Sequence, residues 1–314
     1  MIKPSIERRQ VQAVLSRHFG AAVEDIAPVD TGQIARVFSF DVGGKGFIVR
    51  FVKPVTAESI EKDRFVAKRL ASSEVPVPPI IQQGVSGDLH YAIASLVPGV
   101  PLRGWHGEDD WPVVTQLIET LDAIHRTDIS DTIGYGMFDG DGRGTFPTWP
   151  EALLDVAAEG EPGSFYGAWH HYFNDTFLDR QFFDRIYGHM TALLEFCPAE
   201  RSLVHGDYAY GNVMVQNEKI TAVLDWANAM YGDFLYDVAW MDLGSPALDY
   251  RSRFRRYYQE TDRPVDHFEE RLLCYQCYIS LDAQRWYAKS SNSADYAWMR
   301  DRTLHLLGRG SDGV

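Results

Sequence analysis

The sequence predicts an α+β protein in two unequal parts. A small N-terminal unit over residues 1–97 is built on an antiparallel sheet, and a larger, mostly helical part covers residues 98–314. Three observations carry this. Alternating apolar runs flank a glycine-rich turn at residues 43–46, which is the pattern of a β-hairpin. From Val114 onward, apolar residues recur at three- and four-residue spacing, the pattern of helices. Pro98-Gly99 stands between the two regimes and marks a boundary.

In chain order, Val11, Val14, Leu15, His18 and Phe19 lie at helical spacing and predict a first helix. Phe38, Phe40 and Val42 then alternate, Gly43-Gly44-Lys45-Gly46 turns the chain, and Phe47, Val49 and Phe51 alternate again. Residues 57–71 return to helical spacing through Ile60, Arg64, Phe65 and Leu70, until Pro76-Val77-Pro78-Pro79 breaks the pattern. Leu89 to Val97 reads as a third strand. In the second part, Val114, Leu117, Ile118, Leu121 and Ile124 line one helix face. Residues 134–148 are glycine-rich and polar and predict a long loop. Helical patterns resume over about 149–196, a short β-rich island spans Leu203 to Leu224, and helices fill the rest to about 307. No internal repeat is present.

Composition narrows the class. An apolar fraction of 45% and a charged fraction of 24% exclude a disordered or collagen-like chain. The 8 Trp, 16 Tyr and 17 Phe ask for a large packed interior or a ring-lined pocket. No run of about 18 uncharged apolar residues exists, so no membrane association is expected. The N-terminus, MIKPSIERRQ, has no apolar signal core, and three cysteines read as reduced thiols, so the expected location is cytoplasmic. The net charge of −14 is unevenly placed: +2 over residues 1–97 and −16 over 98–314. A nucleic-acid binder would show the opposite sign. A negative region attracts a cationic ligand, or serves solubility alone.

The β-rich island holds the chemistry. His205-Gly206-Asp207 is followed by Asn212, and Asp225 comes 13 residues later in Val223-Leu224-Asp225-Trp226. Phosphoryl transfer needs one carboxylate to orient an attacking hydroxyl and accept its proton. It also needs a carboxylate and a neutral oxygen donor to hold Mg²⁺ on the nucleotide phosphates. Asp207, Asp225 and Asn212 supply these groups. The runs NVMV and TAVL, joined at Asn217-Glu218-Lys219, are natural antiparallel partners and bring all three to one place. Four fixed residue types at this spacing occur by chance in roughly one chain of this length in several hundred. Elsewhere, Cys274 and Cys277 form a lone CxxC in an apolar helical run and read as core. His170-His171 reads as a solvated or packed pair, and Arg251, Arg253, Arg255 and Arg256 as a helix face near acidic partners.

Together these residues resemble the aminoglycoside phosphotransferases. The resemblance runs over nearly the whole chain. It takes in the 38–51 hairpin, Val75-Pro76-Val77-Pro78, Pro98-Gly99-Val100, His125, the 205–212 loop, Gly232-Asp233 and Asp237-Val238-Ala239. Ser39 to Gly44, Lys62-Asp63-Arg64, Thr221-Ala222-Val223 and Leu281-Asp282 are similar to the branch acting on hygromycin B. The resemblance implies a bilobal protein-kinase-like fold. Residues 1–97 would be the nucleotide-binding lobe and 98–314 the catalytic and substrate-binding lobe. It implies ATP and Mg²⁺ as cofactors, a cationic small-molecule antibiotic as partner, and a monomer. Asp207 becomes the catalytic base, Asn212 and Asp225 the metal ligands, and His205 and Asp237 braces of the loop backbone. Arg50 stands where these kinases usually carry a phosphate-pairing lysine, and a guanidinium also binds phosphate. Its helix partner would be Asp63, with Glu61 the alternative. Thr31-Gly32 would form the flap over the phosphates, and the backbone of Ser95 and Val97 would meet adenine. Tyr210, Trp240, Asp242 and Asp282 are the acceptor-side candidates. Alternative acceptors are a macrolide or a metabolic alcohol, and a nucleotide-binding pseudokinase is the reading from another class.

Overall fold

The computed structural model describes residues 3–20, 23–30, 32–102, 112–208 and 211–311. The N-terminal elements are helix α1 (Arg8–Phe19), strands β1 (Val23–Val29), β2 (Arg36–Val42) and β3 (Lys45–Val52), helix α2 (Glu58–Arg69), and strands β4 (Ile80–Ser86) and β5 (Leu89–Ser95). The five strands form one antiparallel sheet in the order β1-β2-β3-β5-β4. The predicted hairpin is β2–β3, turned by Gly43 and Gly44 at φ +60° and +77°, a left-handed pair that glycine adopts without strain. Because side chains alternate along a strand, the sheet has two faces. Phe38, Phe40, Val49, Phe51 and Ile93 bury one face together with Val11, Val14 and Leu15 of α1. Each such residue contributes about 1.5–3 kcal/mol of burial. Val52 and Ala92 lie on the other face with Ile60 of α2. Arg50, between Val49 and Phe51, is thereby turned toward α2.

The chain continues through β6 (Val100–Pro101), α3 (Pro112–His125), β7 (Tyr135–Phe138), β8 (Gly144–Phe146), α4 (Trp149–Leu154), α5 (Tyr172–Asp175) and α6 (Arg180–Leu193). Then come β9 (Ser202–Val204), β10 (Val213–Gln216), β11 (Lys219–Val223), β12 (Met230–Gly232), α7 (Leu235–Gly244), α8 (Tyr250–Glu260), α9 (Phe268–Ser290) and α10 (Ser293–Ser311). Helix α9 packs against α6, α7 and α10. One large apolar core unites these helices with β9–β12 and reaches Val66 and Leu70 of α2. Strands β10 and β11 pair as expected through Asn217 and Glu218, both at positive φ. No helix among the described residues is long and apolar enough to cross a membrane.

Several strands depart from the sequence reading. Residues 134–148 are not a long loop: β7 and β8 form a hairpin that joins β12 and β9 in a four-stranded sheet. Glycine hides it, because a Cβ at Gly144 would stand 2.5 Å from the Gly134 backbone, and close backbone approach replaces the usual alternation of side chains. Strands β1 and β4 were also not expected. Both are edge strands. Pro28 and a register shift between Glu24 and Ala27 blur the first, and Gln82 and Gln83 the second.

Candidate active site

The 205–212 loop is built on β9 and braced from α7. Asp237 Oδ2 accepts from the His205 N–H at 2.8 Å and lies 2.9 Å from His125 Nε2, while Oδ1 accepts from the Gly206 N–H at 2.8 Å. The Asp207 N–H donates to His205 Nδ1 at 3.2 Å, which leaves Nε2–H to donate to the Leu224 carbonyl at 3.1 Å. Burial holds His205 below its usual range, so it sits neutral as a fixed spacer between the loop and the end of β11. Gly206 has φ +79°, and a Cβ there would lie 2.2 Å from the Asn228 carbonyl oxygen, so only glycine fits.

This bracing turns Asp207 toward Asn212. The Asn212 amide donates to the Asp207 carboxylate at 3.0 Å and to its backbone carbonyl at 2.9 Å, leaving Oδ1 as the amide's acceptor end. The Trp240 side chain, one helical turn after Asp237 on α7, lies near enough to the Asp207 carboxylate to favour its ionised form. Burial, and next the charge of Asp225, push the Asp207 carboxyl up to about 7. Asp225 itself follows β11, is exposed, and has φ 61° and ψ 72°, a left-handed conformation uncommon outside glycine. Among the described residues, no three His, Cys, Asp or Glu side chains form a metal cage. An Asn oxygen and one carboxylate do suit Mg²⁺, which keeps several waters and shares its shell with substrate phosphates. The mutual repulsion of Asp207 and Asp225 is what a cation at this place relieves.

Two of the nucleotide-side candidates, Arg50 and Asp63, form a pair that meets the segment following Asp225. Arg50 forms an ion pair with Asp63 and also donates to the Ser59 carbonyl at 3.2 Å. Asp63, not Glu61, is the partner: Glu61 accepts instead from Gln83 at 2.7 Å. Asp63 Oδ1 also accepts from the Trp226 N–H at 3.0 Å, next in sequence to Asp225. Burial pushes the Asp63 carboxyl up, and the Arg50 guanidinium offsets only part of that. Ser95 ends β5 opposite Phe47, and the Leu96 N–H is spent on the Gly46 carbonyl at 3.0 Å, so Ser95 and Val97 flank that anchor. Gly32 is exposed at φ +58°, and Lys3 donates to its carbonyl at 3.3 Å. Thr31 and Tyr210 lie outside the described residues.

On the acceptor side the candidates divide. Asp282, on α9, is 39% exposed and pairs with Arg285 at 2.6 Å. Its charge and that of Asp207 both help to push the buried Tyr236 hydroxyl up. Asp242 is a correction. It is buried, accepts from Gln276 at 2.8 Å and from the Arg251 N–H at 3.2 Å, and its backbone carbonyl accepts from Arg302 at 3.1 Å. It fastens α7 to α8, α9 and α10. Sequence reasoning missed Lys62, which precedes Asp63 and is buried with its ammonium on the Ala227 carbonyl. Trp240, an acceptor-side candidate, lies near Asp207. The i+3 spacing from Asp237 was the available signal that places Trp240 beside Asp207.

A model of the phosphotransferase enzyme family, APH, matches residues 25–268. The chain belongs to this family. Among members of the phosphotransferase enzyme family, it is 33% identical to the hygromycin-B 4-O-kinase of Escherichia coli over 319 residues, covering all of this chain and 89% of that protein. A crystal structure of a thermostable mutant of aminoglycoside phosphotransferase APH(4)-Ia, in ternary complex with AMP-PNP and hygromycin B, superposes with TM-score 0.80 at 32% identity. It covers 97% of this chain and 100% of that one. A putative fructosamine-3-kinase from Haemophilus somnus shares the fold at TM-score 0.65 and 16% identity, over 95% of this chain and 97% of that one. The kinase-like α+β fold expected from the sequence is therefore the fold found.

Proposed function

We propose that this protein is an ATP-dependent O-phosphotransferase that modifies a hydroxyl of an aminoglycoside antibiotic, hygromycin B foremost, and so confers resistance. The observation that carries this is the Asp207–Asn212 contact at 3.0 Å beside the Asp225 charge. Residues 1–97 bind the nucleotide. Arg50, fixed by Asp63, faces its phosphates, the Thr31-Gly32 flap covers them, and the hinge at Ser95 and Val97 meets the adenine. Residues 98–314 supply the chemistry and the acceptor site, with Asp282 and Tyr210 on the acceptor side. Asn212 Oδ1 and Asp225 hold Mg²⁺, which neutralises phosphate charge when bound. Asp207 accepts a hydrogen bond from the acceptor hydroxyl and orients its oxygen at the γ-phosphorus. As the new O–P bond forms and the bond to the ADP oxygen breaks, the hydroxyl proton passes to the Asp207 carboxylate. Asn212 holds that carboxylate in place throughout. The parent activity at 33% identity, the APH family match and the acidic second part support an aminoglycoside over a neutral acceptor.

The test is a panel of aminoglycosides, a macrolide and simple alcohols with purified protein, read by ADP release and by gain of one phosphoryl group in the product. Hygromycin B should be phosphorylated, and expression of the chain should protect growth on it. Asp207→Ala should lower turnover by about three orders of magnitude while nucleotide still binds, since it removes both orienting group and base. A macrolide or alcohol turned over in preference to every aminoglycoside would overturn the acceptor class. An Asp207→Ala enzyme keeping a tenth of the rate would overturn the assigned base.

A further inference from the structure

Helix α2 directs two consecutive charged residues at the segment that follows Asp225. Asp63 holds the Trp226 N–H at 3.0 Å. Lys62 donates to the carbonyl of the next residue, Ala227, at 2.9 Å. Lys62 is 3% exposed, and its ammonium lies 5.0 Å over the Phe138 ring and 3.7 Å from the Met137 sulfur. A methionine or leucine would fill such a site without the penalty of burying a charge. What the ammonium adds is the bond to Ala227. The 225–226 and 227–228 peptide units are thus gripped from one helix turn, at and just beyond a residue in a conformation that persists only where the surroundings enforce it.

The helix is itself wedged in place. At the turn between β7 and β8, a Cβ on Gly142 would stand 2.2 Å from the Phe65 ring, and one on Gly140 would stand 2.6 Å from Glu61 Cβ. The hairpin therefore seats against α2 at backbone distance on one side, and the 226–228 segment meets it on the other. Nothing in this arrangement lets α2 shift without pulling on Trp226 and Ala227.

We propose that Lys62 is a positioning residue of the phosphotransfer site: its bond to the Ala227 carbonyl holds Asp225 in the orientation that receives the cation. This rests on the reading of Asp225 as a metal ligand. The test measures ADP affinity by calorimetry with Mg²⁺ and again with EDTA, for wild type, Lys62→Met, Lys62→Gln and Asp225→Asn, each checked for folding by its melting temperature. In Lys62→Met the Mg²⁺-dependent gain in affinity should fall about tenfold, the size typical of removing a group that orients a ligand. Affinity in EDTA and affinity for the acceptor should stay as in wild type. Lys62→Gln ends one bond short of the carbonyl and carries no buried charge. It should fold and lose at least about threefold of the same gain. A folded Met or Gln variant with wild-type Mg²⁺ dependence, while Asp225→Asn has lost it, overturns the role of Lys62 alone. An Asp225→Asn protein that keeps its Mg²⁺ dependence overturns both the metal reading and the inference built on it.

Discussion

At Asp207 a single carboxylate is set for its task by burial and by one neighbour. Burial and the Asp225 charge hold it at about 7, so it titrates where a base must. The raised value means that the protonated form persists up to neutrality, and only the ionised form accepts a proton. With both substrates well below saturation, kcat/KM reports the free enzyme, and it should fall tenfold per unit as pH drops below about 7. A flat profile down to pH 5 would remove Asp207 as the base. Arg50 offers a second test at this scale. Arg50→Ala should raise the KM for ATP, and Arg50→Lys should restore part of it, because a point charge replaces a two-pronged donor. An unchanged KM in both variants would make the Asp63 pair purely structural. The Asp207, Asn212 and Asp225 set was legible in the sequence because the chemistry dictates residue type and the hairpin dictates spacing. Asp242 was not, because its burial depends on Gln276 and Arg302, which lie 34 and 60 residues away. No local pattern distinguishes it from an acid facing a ligand.

Elements carry the alignment of those residues, and α2 carries most of it. The helix was expected over 57–71 and spans Glu58–Arg69, but the hairpin that fixes its depth was read as a loop. Two-residue periodicity fails there because Gly136 and Gly144 present no side chain, and the only clue was the density of glycine itself. Gly142 is the sharpest test of the hairpin's part. Its φ is +78°, and an added Cβ meets the Phe65 ring at 2.2 Å. Gly142→Ala should cost about 1–3 kcal/mol from backbone strain and overpacking together. The displacement of Phe65 passes to Lys62 and Asp63 on the same helix, so the KM for ATP should rise alongside the loss of stability. Urea unfolding and initial rates on the same preparation check both. A variant destabilised by that amount with an unaltered KM would show that hairpin and helix are not coupled to the nucleotide side.

The whole molecule divides its charge as it divides its labour. The +2 and −16 of the two parts were legible at once. Some acids are paired locally, Asp122 with Arg263 at 2.8 Å, Asp233 with Arg271 at 2.7 Å, and Glu269 with Arg251 and Arg255, but the −16 already counts these arginines. What steers a polycation is that net excess of acid, which the pairs leave unchanged. The long-range part of that attraction is sensitive to salt, because the screening length contracts from about 30 Å at 0.01 M to about 8 Å at 0.15 M. Affinity for the aminoglycoside should therefore weaken across that range. Affinity for the nucleotide should change less, since the contacts proposed for it come from a near-neutral part of the chain. Asp282→Asn should weaken the antibiotic and leave the nucleotide alone. With Arg285 already on one oxygen and the Asp282 side chain 39% exposed, the loss should be about 1 kcal/mol or less, a few-fold in KM. Arg285 complicates the result in a useful way, because the substitution also frees a buried guanidinium. Asp282→Asn combined with Arg285→Met then separates the two effects: a double variant as weak for the antibiotic as the single one assigns the loss to the Asp282 charge. Antibiotic binding that ignores salt, with an Asp282→Asn enzyme of unaltered acceptor KM, would move the acceptor site off α9 and favour an uncharged substrate.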